Sequence, residues 1–194
     1  LIGKMQSTFA PMLQFIEENH MTTAEGFKRG NKKHFCCDFE GLPLVEAKSF
    51  TPHYVSSEEL SKVDFDDFEC TVKNARDIFK APHLIIKQSH KNGLFLSEVL
   101  DYDAVFNHSL LGIHGEVSKL KYLSVIIGSR VFSYYHILTN RKWLVERDEL
   151  EAGDIWQTPI PKPNDSEVIE ACAIFDELVN EPNKNQRLEQ FARY

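Results

Sequence analysis

The sequence predicts a mixed α+β fold, in which a twisted, mainly antiparallel sheet packs on one long helix and a helical element follows at the C-terminal end. Three patterns support this prediction. The short β-branched run 83–88 is followed by a stretch of alternating apolar and polar residues, 94–115. After these, apolar residues recur every three or four positions over about five helical turns. A second apolar repeat with helical spacing begins after residue 164.

The first 60 residues predict helix and loop that pack on the core. A short amphipathic helix is expected near the start, with Pro11 tolerated in its first turn. Its apolar face has the period of a helix and consists of Phe9, Met12, Leu13 and Ile16. The core itself is expected over residues 61–163, and C-terminal helices are expected over residues 164–194.

Three strands are predicted in the first part of the core. Residues 83–88, "HLIIKQ", form the first strand, and the polar sequence "QSHKNG" at 88–93 predicts a turn after it. The stretch 94–115 then predicts two strands that are joined by "LDYD" at 100–103. Because this connection is short, we expect those two strands to pair with each other in antiparallel orientation.

The strongest periodic signal predicts one long helix from Ser118 to Leu138. Its apolar residues are separated by 3, 4, 4, 3 and 4 positions: Leu120, Leu123, Ile127, Val131, Tyr134 and Leu138. Ser118 is of the type that caps a helix start, and Asn140 suits the left-handed residue that ends a helix. A strand at 142–146 and an extended, proline-rich exit at 155–163 are expected next.

The last predicted element is a long helix in an acidic part of the chain. One face of this helix is lined by Val168, Ala171, Cys172, Phe175 and Val179. Residues 148–181 carry ten Asp and Glu against one Lys, whereas residues 119–147 carry six Lys and Arg against one Glu. The net charge of -7 argues at first sight against a nucleic-acid partner, but it conceals a basic middle and an acidic C-terminal part.

Composition places the chain among soluble globular proteins, with 42% hydrophobic and 26% charged residues. No apolar run approaches the roughly 20 residues of a membrane span, and the N-terminus lacks the apolar core of a signal peptide. We therefore expect a cytoplasmic protein with no membrane contact. Its four cysteines, among them the adjacent Cys36 and Cys37, have neither a zinc spacing nor a disulfide framework. The chain opens on Leu1 rather than Met, which indicates a fragment of a longer polypeptide.

Motifs of several common enzyme classes are missing from the sequence. It has no Gly-x-Gly-x-x-Gly, no phosphate-binding Gly-x-x-x-x-Gly-Lys-Ser/Thr and no Gly-x-Ser-x-Gly nucleophile turn. The pairs His108 and His114, and His83 and His90, lack the spacing of a helical metal site, so we predict no metal. The carboxylates of "FDDFE" at 65–69 could support acid/base or magnesium chemistry, but a solvated loop is the favoured interpretation.

A basic and aromatic cluster lies where the predicted long helix ends. It consists of Tyr135, His136, Arg141, Lys142 and Trp143. Arg and Lys bind phosphates, Asn and Arg read base edges, and aromatic side chains pack against sugars or bases. These residue types favour DNA contact as a hypothesis. The alternative is that the basic residues of the helix, Lys119 and Lys121, form a solvated face and that Trp143 belongs to the core.

A longer string around this cluster resembles a known family. The segments are "FNHSLLGIHG" and "LKYLSVIIGSRVFSYYHILTNRKWLVERDELEAGDIWQTPIP", with "FKAPHLIIKQSHKNG" before them. They are similar to the target recognition domain of amino-methylating DNA adenine methyltransferases, the TaqI-like specificity domain that is related to Type I restriction specificity subunits. The matching positions lie within Asp77–Pro163 and are Gly112–Gly115, Leu120–Leu123, Gly128-Ser129, Tyr134-Tyr135, Thr139–Arg147 and Pro159–Pro161.

The resemblance implies a DNA-sequence recognition domain that places double-stranded DNA for a catalytic domain elsewhere in the same polypeptide. The family's catalytic Asn/Asp-Pro-Pro-Tyr/Phe motif and a glycine-rich cofactor loop are absent from this chain. We therefore expect no enzymatic activity and no cofactor in this fragment. The parent protein is expected to be a site-specific DNA adenine methyltransferase of a restriction-modification system that uses S-adenosylmethionine, with or without an endonuclease activity.

Two groups of residues are the candidate DNA contacts under this resemblance. The turn after the first strand would read bases and the helix end would bind phosphate, through Lys87, Gln88, His90, Lys91 and Asn92 in the turn and Asn140, Arg141 and Lys142 at the helix end. The competing hypothesis is a protein-interaction domain that docks a partner subunit through the acidic helix 168–179. An independent small-molecule enzyme has no motif in its favour.

Overall fold

The described part of the chain is a mixed α+β structure, as the sequence predicts. The computed structural model describes residues 2–27, 39, 41–48, 60–63, 76–91, 93–140 and 149–180. The helices are α1 (Ile2–Thr8), α2 (Met12–Glu18), α3 (Val117–Gly128), α4 (Arg130–Thr139), α5 (Ala152–Trp156) and α6 (Asp165–Asn180), with a 3-10 helix at Arg76–Phe79. The strands are β1 (Ala10–Pro11), β2 (Thr22–Glu25), β3 (Leu44–Val45), β4 (His83–Lys91), β5 (Leu94–Leu100), β6 (Val105–Phe106), β7 (Leu110–His114) and β8 (Pro159–Ile160). Within these ranges no helix is long and apolar enough to cross a membrane.

A four-stranded antiparallel sheet in the order β2-β7-β4-β5 organises the fold. β4 pairs with β5 through a hairpin and with β7 on its other side, so the predicted pairing between the two strands of 94–115 is wrong. The reason is the path between them, because β6 leaves the sheet and pairs in parallel with β3. β7 then returns to the open side of β4, whose central residues Leu84, Ile85 and Ile86 are fully buried.

Apolar side chains cover both faces of this sheet. Ile85 lies in one cluster with the rings of Phe79 and Phe106, together with residues of β3 and β6. Leu84 and Ile86 lie in a second cluster, which residues of α2, α3, α4 and α5 complete. Successive side chains of β4 therefore serve opposite layers, since they point to alternate faces of a strand. The predicted packing of the sheet on helix is confirmed, with α3 against β5 and β4.

The predicted long helix is two helices that meet at Ser129. This residue is extended, with φ -72° and ψ 152°, and its Oγ accepts a hydrogen bond from the backbone N of Phe132 at 3.2 Å. Ser129 thus ends α3 and caps α4. The break changes the direction of the chain, so the apolar repeat does not continue on one buried face. Val131, Tyr134 and Leu138, predicted to be in the core, are 48%, 48% and 53% exposed.

The ends of the other helices also differ from their predicted positions. α3 begins after Glu116, and Ser118 lies in its first turn, where its hydroxyl donates to the Glu116 carboxylate at 2.5 Å. Asn140 has φ -93° and ψ 102°, so the left-handed helix end predicted there is wrong. α2 begins after Pro11, whose partner in the β1–β8 pair is Pro159. This pairing holds residues 10–11 extended and excludes Phe9 from the helix.

Two predicted loop segments are partly regular structure. The polar residues 88–91 belong to β4 rather than to a turn, because Gly93, with φ +78°, permits a tight connection to β5. The exit predicted at 155–163 is extended only from Thr158 onward, since Ile155 and Trp156 end α5. The predicted strand at 142–146 and the carboxylates at 65–69 lie outside the described residues.

The C-terminal helix predicted from the second apolar repeat is present as α6. Val168, Ala171, Phe175 and Leu178 are buried, and the helix packs on α3. The Nζ of Lys121 on α3 lies 2.5 Å from Asp176 Oδ1 and 5.5 Å from the centroid of the Phe175 ring. Lys121 therefore joins the two helices and does not belong to a free basic face.

Candidate nucleic-acid interface

The β4–β5 hairpin extends beyond the four-stranded part of the sheet. The last pair between β4 and β7 is Lys87 with Leu110, whereas the hairpin itself continues to the pairs His90–Phe95 and Lys91–Leu94. A register shift lies between Ile86 and His90 on β4. Such an irregularity redirects the strand and its side chains. The end of the hairpin, residues 90–95, is thus a short two-stranded ribbon that carries His90 and Lys91.

His90 shapes the turn at the end of this ribbon. The backbone N–H of Gly93 donates to His90 Nδ1 at 3.3 Å, and the His90 side chain is half-buried. Gly93 has a positive φ, which a residue with a Cβ rarely adopts. His90 and Gly93 together fix the direction in which the ribbon ends, so His90 is in position at the tip and also supports it.

Gln88 does not lie on an accessible surface. Its side chain is 8% exposed, and its backbone C=O accepts a hydrogen bond from Leu150 N at 3.1 Å. The next residue, Ser89, forms an isolated bridge with Glu149, so the segment before α5 lies along β4 where β7 has ended. We therefore remove Gln88 from the candidate DNA contacts, because burial keeps its amide away from a duplex.

A cleft of about 360 Å³ on the Gln88 side of the hairpin is acidic. Three exposed glutamates, Glu25, Glu149 and Glu151, are among the residues that line it. The cleft also includes Gly153 on α5. Asp154 on the same helix holds the end of α4, since the Asn140 side-chain amide donates to Asp154 Oδ2 at 2.8 Å. Asn140 thus supports the junction of α4 and α5 through its side chain.

A second cleft of about 490 Å³ lies between the turn of the hairpin and α4. Its described lining residues are Gly93, Leu94, Arg130, Val131, Ser133, Tyr134 and Ile137. Arg130 is exposed, and no ion pair or hydrogen bond of its side chain is found among the described residues. Tyr134 is half-exposed on the same face. Arg130 is one of the six basic residues counted over 119–147, and Tyr134 belongs to the predicted apolar repeat, so neither was a candidate contact.

The structure describes only some of the remaining predicted contacts. Lys87 is half-buried on β4, and only the backbone of Lys91 is described. Asn92, Arg141 and Lys142 lie outside the described residues. The structure therefore places Lys87 and His90 on the hairpin.

Tyr135 and His136, predicted as part of a basic and aromatic cluster, belong to the core instead. They are 8% and 1% exposed, and the His136 ring packs against Phe95 and Phe132. The Thr158 hydroxyl donates to Asp154 O at 3.1 Å, so it accepts from His136 Nε2, 2.9 Å away. Burial lowers the pKa of His136 to about 4, which keeps the ring neutral near pH 7.

Burial also dominates at His83, on the other end of β4. Its ring nitrogens contact the carbonyl oxygens of Ile78 at 2.5 Å and Tyr102 at 3.2 Å. Loss of hydration lowers the pKa of His83, although those two carbonyls act in the opposite direction. Neither buried histidine is close to a metal-binding arrangement, since no group of three or more His, Cys, Asp and Glu in the described ranges could hold an ion.

Comparison with known proteins gives similarity at the level of structure. No protein-family model matches the chain, and no curated protein matches it either. Among solved structures, the chain is similar to one from work on complex assembly and conformational transition of the type I R-M system, with 15% identity and a TM-score of 0.49 over 95% of this chain and 42% of that chain. It is also similar to the HsdS subunit from Thermoanaerobacter tengcongensis, with 14% identity and a TM-score of 0.46 over 89% of this chain and 37% of that one. The chain thus spans about two fifths of the length of these solved chains.

Proposed function

We propose that this chain is a DNA-sequence recognition domain of a larger DNA adenine methyltransferase or restriction-modification protein. The observation that carries the proposal is the two-stranded ribbon that β4 and β5 form beyond the rest of the sheet. A β-ribbon is narrow enough to enter the major groove, where base edges distinguish all four base pairs. Lys91 at the end of this ribbon, and Lys87 on the part of β4 that pairs with β7, supply the residue type that such an interface uses, and His90 shapes the turn between the strands.

Several of the residues that carry the family resemblance have structural roles in this fold. Gly112 and Gly115 of the "GIHG" segment leave no room for a side chain, because an added Cβ would meet Phe106 and Met21. The small-residue step at Gly128-Ser129 is where α3 ends and α4 begins. These positions keep β7 close to the apolar layers on the two faces of the sheet.

The proposed roles are divided between this chain and the catalytic domain of the parent polypeptide. Phosphate contacts would set the register of the duplex, and base contacts from the ribbon would select the sequence. Extrusion of the adenine and methyl transfer from S-adenosylmethionine would belong to the catalytic domain of the parent polypeptide. This chain would contribute position and specificity, with no bond made or broken by its own residues.

Electrophoretic mobility shifts at several salt concentrations test this proposal. The 194-residue chain and its longer parent protein are titrated with a pool of random-sequence duplexes between 20 and about 300 mM salt, where log K should fall by about 0.9 per neutralised phosphate for each unit of log salt. Arg141→Ala with Lys142→Ala, the predicted phosphate contacts at the helix end, should reduce that slope by the amount that corresponds to two phosphate contacts. The matched control, Lys119→Ala, removes a charge at the start of α3 and should leave the slope unchanged. Absence of binding by both proteins at 20 mM salt would exclude the proposal.

The competing function, docking of a partner subunit, has one observation in its favour. Ile169 on α6 is 70% exposed and lies beside Glu167 and Glu170 on an acidic helix. Single exposed apolar residues are common, but one on a charged helix is a reasonable anchor. Ile169→Asp should abolish co-elution with the methyltransferase subunit of the same system if α6 docks it. If co-elution persists, α6 is not that docking surface.

A further inference from the structure

The two clefts beside the recognition hairpin have opposite electrostatic character. The cleft that reaches Gln88 on β4 contains Glu25, Glu149 and Glu151. The cleft that reaches Gly93 and Leu94 at the start of β5 has Arg130 as its charged residue, and none of its described lining residues is acidic. A DNA backbone carries about one negative charge per 1.7 Å, so it is repelled from the first cleft and attracted to the second.

The position of Arg130 results from the break at Ser129. Arg130 is the first residue of α4, and the extended backbone at Ser129 separates it from α3. The face of α4 that packs inward carries Phe132, Tyr135 and His136. The opposite face presents Arg130, Val131, Tyr134, Ile137 and Leu138 to solvent, all exposed. Arg130 and Tyr134 lie one helical turn apart on this face and share the cleft with the end of the hairpin.

We infer that the duplex bound by the hairpin lies on the α4 side, where Arg130 binds a backbone phosphate and Tyr134 packs against the adjacent deoxyribose. This inference rests on the proposed function and adds the orientation of the DNA to it. Val131 and Ile137 line the same cleft and give it an apolar surface beside Arg130 and Tyr134. The glutamates on the other flank keep the duplex from approaching the hairpin in the reverse direction.

Duplex DNA is favoured over a protein partner for this face by continuity and charge. The cleft includes Gly93 and Leu94, so a ligand of the hairpin tip reaches Arg130 and Tyr134 without crossing another surface. Arg130 has no partner within the described residues, and it is therefore available to an external anion. A protein that docks on the apolar part of α4 would not have to contact the hairpin. Binding of DNA and binding of a protein to this face can therefore be distinguished by experiment.

Fluorescence anisotropy with a labelled random-sequence duplex tests the inference on the full 194-residue chain. Arg130→Ala should reduce the slope of log K against log salt by about 0.9 and weaken binding about eightfold at 0.1 M salt, the effect of one released counterion. Tyr134→Ala should weaken binding severalfold with an unchanged slope, because a contact with a sugar releases no counterion. Glu149→Gln with Glu151→Gln should tighten binding at low salt only, since repulsion between exposed charges is screened.

Lys119→Ala is the matched control for charge, because it removes one cation at the far end of the sheet from the hairpin turn. Circular dichroism melts confirm that each variant is folded, as expected for exposed positions. If the wild-type chain binds DNA but Arg130→Ala and Tyr134→Ala behave like Lys119→Ala, the inference is wrong while the proposed function stands. If neither the wild-type chain nor its longer parent protein binds, the proposed function fails first and the inference fails with it.

Discussion

Acidification should destabilise this fold because His136 is buried in its neutral form, and the substitution His136→Gln should remove this effect. The ring is 1% exposed, and burial lowers its pKa from 6.5 to about 4. The unfolded chain therefore binds a proton between these two pH values that the folded chain does not accept. Stability from this residue is present above pH 6.5 and is lost as the pH falls toward 4. The loss is about 2 kcal/mol at pH 5 and about 3 kcal/mol below pH 4.

Urea unfolding at pH 7.5 and pH 5 measures this loss. Wild type is compared with His136→Gln, whose amide can still donate to Thr158 but does not titrate. His83, whose pKa burial also lowers, acts equally in both proteins, so its contribution cancels in the comparison. The stability difference between wild type and variant should shift by about 2 kcal/mol in favour of the variant at pH 5. Equal losses in wild type and His136→Gln would refute a neutral, buried His136.

Four further substitutions test the packing in denaturant titrations. Leu138→Ser should lower the free energy of unfolding by less than about 0.5 kcal/mol because the side chain is exposed. Leu120→Ala on α3 should lower it by about 2 to 5 kcal/mol because Leu120 is buried. Similar losses for the two variants would support a single continuous helix instead of the break at Ser129. Gly112→Ala should cost about 1 to 3 kcal/mol, since its Cβ would lie 2.5 Å from Cζ of Phe106, and a neutral result would mean that β7 shifts freely. Ser129→Ala should cost about 1 kcal/mol by removing the cap of α4, and no change would contradict that cap.

Local sequence patterns predicted α6 and β4 correctly. The period of 3.6 residues predicts α6 because its buried residues all face α3, and the β-branched run predicts β4 because that strand is covered on both sides. In both cases the pattern of burial repeats along the whole element. A sequence pattern of that kind has one structural explanation, so prediction and structure agree.

The helical period led to a wrong prediction at Ser129, because one continuous helix and two separate helices can have the same sequence pattern. Leu120, Leu123 and Ile127 are buried as predicted, and the repeat continues to Val131 and beyond without interruption. A Ser inside a helix and a Ser that caps a new helix look alike in sequence. Tertiary packing of the aromatic residues of α4 against β5 chooses the second. The candidate site depends on this choice, since the break is what exposes Arg130 and Tyr134.

The sequence by itself determined the mixed α+β class, the hairpin strand, the two stretches of helical apolar repeat and the basic character of the middle of the chain. These follow from local periodicity and residue type, which act within a few residues. Only the tertiary structure decided that β4 lies between β5 and β7, that Gln88 is buried and that the hairpin separates an acidic cleft from one with Arg130. Such features depend on which distant segments meet. The free energy of those contacts is shared among residues far apart in sequence, so no local pattern records it.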